Sequence, residues 1–245
     1  MAYMFSKCES LENLKFAFNT KNVRDMSNMF ANAAKLKSLD ISYFDTSSVT
    51  DFSNMFYSCA KLVELDLENF VTNNAKDMSQ MFYGYSSLTN LEQEFNVSSV
   101  RDLSSMFQGC SSLRSLDLSN FKTENLINAK SLFYGCNNLL RVDISNFNTS
   151  ELTSMDYMFF KCSNLTSLDL SSFKTNKVKS MQFMFNSCYE LKNLSLSKFN
   201  TTNCQTFTSM FTGVKNISIE INKEDNSNLL AKINGKYNIK EILIN

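Results

Sequence analysis

A unit of 25 or 26 residues recurs from one end of this 245-residue chain to the other, and nothing constrains its fold more. One copy runs Met55-Phe56-Tyr57-Ser58-Cys59-Ala60-Lys61-Leu62-Val63-Glu64-Leu65-Asp66-Leu67-Glu68-Asn69-Phe70, or MFxxCxxLxxLDLxxF. Anchored on its Met-Phe pair, the unit returns at Met4, Met29, Met55, Met81, Met106, Leu132, Met158, Met184 and Met210, with a Phe following every anchor. A second aromatic column follows at Phe18, Phe44, Phe70, Phe95, Phe121, Phe147, Phe173 and Phe199. A fixed period of this length marks a solenoid, whose coils cannot bury both faces alone and share a core only with their neighbours.

Each unit divides in two. Val49-Thr50-Asp51-Phe52-Ser53-Asn54-Met55-Phe56-Tyr57-Ser58-Cys59 has apolar residues at relative positions 0, 3, 6, 7 and 10, a spacing that predicts one face of a helix. Thr46-Ser47-Ser48 supplies an N-cap, and Asp25, Asp51, Asp77 and Asp102 fall in the first turn, where the helix dipole favours a negative charge. Gly84, Gly109, Gly135 and Gly213 share one position before the Cys column, as at a helix end. Lys7 and Lys161 stand at that position without explanation. The other half, LxxLDLSxF, alternates strictly at Leu65-Asp66-Leu67 and predicts a short strand with Leu inward and Asp outward. The expected fold is therefore an α/β solenoid: one short parallel strand and one short helix per coil, about eight coils, and a C-terminal cap.

Residues 1–221 make the solenoid. After Met210 the pattern decays into Ile217-Ser218-Ile219-Glu220-Ile221, then a short helix over 226–233 and a strand over 237–244, so residues 222–245 read as the cap. The first coil begins inside its repeat with no cap before it, which predicts either a preceding segment or packing of this end on another copy.

Lys and Arg number 24, as do Asp and Glu, which removes the electrostatic footprint of a nucleic-acid or anionic-membrane binder. No apolar run reaches membrane-spanning length. The absence of His removes the commonest general base and metal ligand. No paired carboxylates, phosphate loop or nucleophile motif can be placed, so no catalytic residue, cofactor or metal is expected.

Three columns carry polar chemistry. Cys8, Cys59, Cys110, Cys136, Cys162 and Cys188 share a position that Ala33, Tyr85 and Val214 fill elsewhere, which marks them as buried, reduced thiols. Thr20, Thr46, Thr72, Thr123, Thr149, Thr175 and Thr201 predict side-chain bonds to backbone at the corner after the strand. The third column points outward from successive strands: Asp40, Asp66, Glu92, Asp117, Asp143 and Asp169. Carboxylates one strand spacing apart repel by about 0.9 kcal/mol in water, so this stripe is expected to cost stability. It reads either as a solvated strand position that opposes aggregation or as a ligand-facing surface. On the second reading the candidate binding residues are Ser38, Asp40, Ser42, Glu64, Asp66, Glu68, Glu92, Ser115, Asp117, Ser119, Arg141, Asp143, Ser145 and Asp169.

LxxLDLSxF resembles the leucine-rich-repeat strand, with Phe where many such repeats have Asn. The whole unit, including FxTSxVxxMSxMFxxC, resembles BspA-type leucine-rich-repeat surface proteins, in particular the branch first catalogued in mycoplasmas as a domain of unknown function. The resemblance implies a bacterial surface location and an adhesive role toward a protein or glycan, without membrane insertion. The N-terminal sequence has no signal-peptide character, which leaves a cytoplasmic location open. The expected function is a non-enzymatic binding module using its strand face. The alternative is a structural spacer of a larger surface protein, self-associating through its N-terminal end.

Overall fold

The computed structural model describes residues 1–15, 18–91, 95–233 and 235–242. It is a parallel β-solenoid of about eight turns. The strand side contains β1 (Asn13–Lys15), β2 (Ser38–Asp40), β3 (Glu64–Leu65), β4 (Ser115–Asp117), β5 (Arg141–Asp143), β6 (Asn193–Leu196) and β7 (Ser218–Asn222). After these come α1 (Ser227–Ile233) and β8 (Asn238–Ile242), where the sequence predicts a helix and a strand. The ladders are β1-β2-β3, β4-β5 and β6-β7-β8, all parallel. Register sets Leu116 beside Val142 and Leu194 beside Ile219 beneath the sheet, and Asp117 beside Asp143 above it. Residues 167–169 join no ladder, yet Leu168 and Leu170 are still buried.

The helix expected in every coil is not there. Among the described residues the one α-helix is α1. Each segment read as a helix is instead a string of tight turns. In the third coil the N–H groups of Met55, Tyr57 and Cys59 donate to the carbonyls of Phe52, Asn54 and Phe56, three residues back, at 3.0–3.2 Å. The N–H groups between them, of Phe52, Asn54, Phe56 and Ser58, donate along the solenoid axis to Asp77, Ser79, Met81 and Tyr83 of the next coil at 2.6–3.0 Å. Amides thus alternate between closing a turn and tying two coils together, which satisfies the backbone as a sheet would.

This geometry needs a left-handed residue at two places per coil. They are Asn54 (φ 57°) and Ser58 (φ 56°) in the third coil, and the same two columns have positive φ in every copy. A helix interior does not admit them. Lys7 and Lys161, unexplained at a helix end, are left-handed at φ 60° and 59° for the same reason.

Spacing explains why turns replace helix. Packed helices sit roughly 8–10 Å apart, whereas neighbouring strands sit about 4.8 Å apart. The core requires the closer spacing. Phe5, Phe30, Phe56, Phe82, Phe107, Phe133, Phe159, Phe185 and Phe211 form one continuous stack with centroids 5.4–5.9 Å apart. Tyr237 continues it at 5.6 Å from Phe211. The second Phe column stacks too, at 6.2 Å for Phe121–Phe147 and 6.4 Å for Phe173–Phe199. Each buried ring contributes roughly 1.5–3 kcal/mol, and stacked pairs add about 0.5–1.5 kcal/mol.

The Thr column ties the corners. Thr149 Oγ1 donates to the Lys174 carbonyl and accepts the Lys174 N–H; Thr175 does the same with Asn200. These bonds reach the next coil instead of capping a helix. Asn side chains add a further rung, as when Asn146 Nδ2 donates to the Ser119 carbonyl one coil back at 2.6 Å.

Candidate functional site

The strand face carries the candidate binding residues, and the chain turns sharply just after each of them. The carboxylate of every described Asp in the outward column accepts the backbone N–H two residues on. Ser42 N–H donates to Asp40 at 3.2 Å, Glu68 to Asp66 at 2.8 Å and Ser119 to Asp117 at 2.9 Å. Ser145 and Ser171 bond Asp143 and Asp169 in the same way, at 3.0 and 2.9 Å. Each Asp therefore ends its strand segment and starts the turn with one oxygen, and the second oxygen of Asp40 pairs with Lys15.

The electrostatics follow these bonds. Hydrogen bonds from the Ser42 hydroxyl, then the Lys15 ammonium, then the Ser42 amide, hold Asp40 at about 2. Ser119 lowers Asp117 and Ser171 lowers Asp169. Hydrogen bonding is what lowers these three carboxyls.

A second acidic column lies on the turn side. Asp25, Asp51, Asp77 and Asp102 form bridges from coil to coil on the turn side, continued by Asn128. The sequence placed them in helix first turns. They instead accept the N–H groups of Ser27, Ser53, Ser79 and Ser104 at 2.7–2.8 Å. Burial pushes Asp77 up, and its neighbours Asp102 and Asp51 add to this against the Ser79 bonds.

Two long grooves divide the strand face. The larger, about 1220 Å³, runs from β4 to β8 and gathers Ser115, Asp117, Arg141, Asp143, Ser145 and Asp169. Its floor is Leu116, Val142, Leu168, Leu194 and Ile219. Arg141 forms no ion pair among the described residues and is exposed beside Ser115, one alternation before Asp143. The second groove, about 770 Å³, holds Ser38, Asp40, Ser42 and Asp66, with Lys15 paired to Asp40 at 2.9 Å. Asp66 and Glu68 also border a smaller recess with Leu88, Thr89 and Asn90. Ser119 is half-buried and lines neither long groove. Glu64 belongs to β3, opposite Ser38, and Glu92 lies outside the described residues.

The larger groove extends beyond the residues singled out in the sequence. Ser195, Ser218, Glu220 and Asn238 line its far end. The Ser195 hydroxyl donates to Glu220 at 3.0 Å, and Asn238 Nδ2 to the Ser218 hydroxyl at 2.8 Å. The parallel pairing of β7 with β8 puts them there. The signal was the alternation in Ile217-Ser218-Ile219-Glu220-Ile221, which matches the strand unit with Glu for Asp.

All seven Cys are free. The thiols of Cys59, Cys110, Cys136, Cys162 and Cys188 donate to the carbonyls of Phe30, Phe82, Phe107, Phe133 and Phe159 at 3.0–3.2 Å. Burial pushes Cys59, Cys136 and Cys188 up to about 12. These are packing residues with a weak donor, not nucleophiles. Among the described residues, no group of three or more Cys, Asp or Glu is placed to hold a metal ion, and no helix is long and apolar enough to cross a membrane.

A family model matches the chain twice, over residues 1–116 and 102–224, and its description is "Mycoplasma protein of unknown function, DUF285". The two matches cover nearly all the repeats, and the chain belongs to this family. None of the curated proteins compared with the chain matches it.

Proposed function

We propose that this member of the DUF285 family is a non-enzymatic binding module that engages an extended protein or glycan along its strand face. The observation that carries the reading is the groove of about 1220 Å³ from β4 to β8. Free carboxylate oxygens on Asp117, Asp143 and Asp169 and the unpaired Arg141 line it side by side. Such a row offers acceptors and one fork of donors at a repeat of about 4.8 Å. Carboxylates accept from vicinal sugar hydroxyls or from Lys and Arg side chains, while the apolar floor supplies contact area. The resemblance to BspA-type surface proteins adds the finer proposal, adhesion at a bacterial surface.

The test replaces Asp117, Asp143 and Asp169 together by Asn. Asn keeps the bond to the amide two residues on, as Asn128 does for Lys130 in the turn-side column, so the strand ends survive while the charge is lost. Binding to a glycan panel, to immobilised extracellular-matrix proteins and to cells is then compared with the unaltered chain. A loss of about tenfold or more at unchanged melting temperature supports the reading. Equal binding by both proteins refutes it.

A second reading, self-association through the first coil, draws on its exposed apolar side chains, Tyr3 at 63% and Met4 at 46%. Sedimentation of the chain against a Tyr3→Ser/Met4→Ser variant separates the two. A concentration-dependent oligomer abolished by the double substitution favours it, and a monomer at all concentrations removes it.

A further inference from the structure

We infer that the C-terminal half of the turn side is a second docking surface, and that its occupant is an acidic polypeptide segment. The surface lies outside the strand grooves. Its first mark is a misfit between residue type and backbone. In most coils the first left-handed position carries a residue that tolerates it or is small and polar: Asn28, Asn54, Gln80, Ser105, Ser131 and Ser209. Tyr157 (φ 60°) and Phe183 (φ 57°) put bulky rings there in two adjacent coils, and the column's other ring is Tyr3 (φ 59°) in the first coil. Bulky side chains are strained in this region, and such strain persists where something else is gained. The core gains nothing, because the inward stack of Phe133, Phe159 and Phe185 is complete without them.

What the two rings build is an outward cluster with Tyr134 and Phe160. Tyr157 stacks on Phe183 at 4.9 Å and 7°, and Tyr134 stacks on Phe160 at 4.7 Å. The two pairs meet edge to face, Tyr157 with Phe160 at 5.6 Å and Phe160 with Phe183 at 6.1 Å. All four rings are half-buried. The Lys161 ammonium lies 5.4 Å from the Phe160 centroid.

The second mark is charge. The acidic turn-side column ends at Asp102, and its later members are Asn128, Ser154, Ser180 and Thr206. Across residues 128–136, 154–162 and 180–188 the one carboxylate is Asp156. It is 6% exposed, accepts the Ser180 hydroxyl and the Gln182 amide, and lies 3.6 Å from the Lys130 ammonium. Lys130, Lys161 and Lys179 are exposed in the same coils, Lys161 over the Phe160 ring. The patch is thus cationic and aromatic, with its single acid withdrawn.

Ring packing selects among anionic partners. Faces stacked on one another, or lying under Lys161, give nucleobases and sugar rings little platform to stack on. Ring edges carry the positive end of the quadrupole. Edges, ammonium groups and the Tyr134 and Tyr157 hydroxyls together suit Glu and Asp side chains, with room for an apolar or aromatic neighbour on the same segment.

The experiment uses a fluorescent random copolymer of Glu and Tyr as the acidic probe, with heparin and an oligo-dT strand as other polyanions. The whole chain is compared with a Tyr157→Asn/Phe183→Asn variant and with Lys161→Glu. Asn suits the left-handed backbone, so the double variant is expected to melt no lower than the unaltered chain. The inference predicts salt-sensitive binding of the copolymer, weakened about tenfold or more in both variants and kept in the Asp117→Asn/Asp143→Asn/Asp169→Asn protein. It is overturned by absent binding, by equal binding in the variants, or by binding of heparin or oligo-dT at least as tight as that of the copolymer.

Discussion

Thr149 Oγ1 donates to the Lys174 carbonyl at 3.0 Å and accepts the Lys174 N–H at 2.8 Å. One side chain thereby performs, at a corner with no strand, the exchange that two paired backbones perform in a sheet. Thr149→Val keeps shape and removes both bonds, leaving the part-buried Lys174 amide without its partner at a cost of about 1 kcal/mol. Urea titration is expected to show a loss of that size with unchanged m-value. Val97 occupies the column in the fourth coil, and there the Lys122 amide bonds Asn120 instead.

The left-handed columns make a prediction of opposite signs at neighbouring coils. A Cβ added at Gly135 (φ 71°) meets nothing closer than 3.9 Å, so Gly135→Ala reports backbone strain alone. It is expected to destabilise by about 1 kcal/mol. Lys161→Gly relieves the same strain one coil on and is expected to stabilise by a fraction of that, since glycine also frees the unfolded chain. Thermal melts of the two variants decide this. Equal or like-signed shifts contradict the assignment.

Asp77 and the pair Asp117 and Asp169 respond to pH in opposite senses. Asp77 binds its proton more tightly folded than unfolded, chiefly through burial. Its ionisation therefore opposes folding, fully at pH above its folded pKa and not at all well below the ordinary value of 3.8. Asp77→Asn is expected to raise the melting temperature at neutral pH by about 2 °C, with the gain vanishing near pH 3. Asp117 and Asp169 bind protons less tightly folded. Their contribution is present above the unfolded pKa and is lost as pH falls through the lowered folded value. Asp117→Asn should accordingly reduce the acid dependence between those two values.

Thiol reactivity separates the coils. Cys59, Cys110, Cys136, Cys162 and Cys188 are fully buried, with raised pKa values that suppress the thiolate. Cys204 is pushed up to about 11, and Cys8 in the first coil is half-buried. A disulfide reagent at neutral pH is expected to titrate Cys8 first in the folded protein, and all seven only after denaturation. Rapid reaction of the central column contradicts the packing described.

The period, the two Phe columns, the buried Cys and the inward Leu of each strand were legible in the residues, because burial repeats with the coil. The helices were misread for a definite reason. Apolar residues at Val49, Phe52, Met55, Phe56 and Cys59 line one face of a helix, but they line the inside of a turn string equally well. The distinguishing signal was weak: Asn28 and Asn54 sit inside the supposed helix, where turn formers do not belong. On the strand face, Asp40-Ile41-Ser42 and Asp117-Leu118-Ser119 carry a local turn signature that the outward alternation of the strand masks.

Turn strings bonded from coil to coil stand where helices were expected, and helix is confined to the seven residues of α1 among those described. Far-UV circular dichroism tests this most directly. The predicted spectrum is dominated by sheet and turn, with helix content of a few per cent. A strong helical double minimum, corresponding to about a third of the residues as one helix per coil would require, would contradict it.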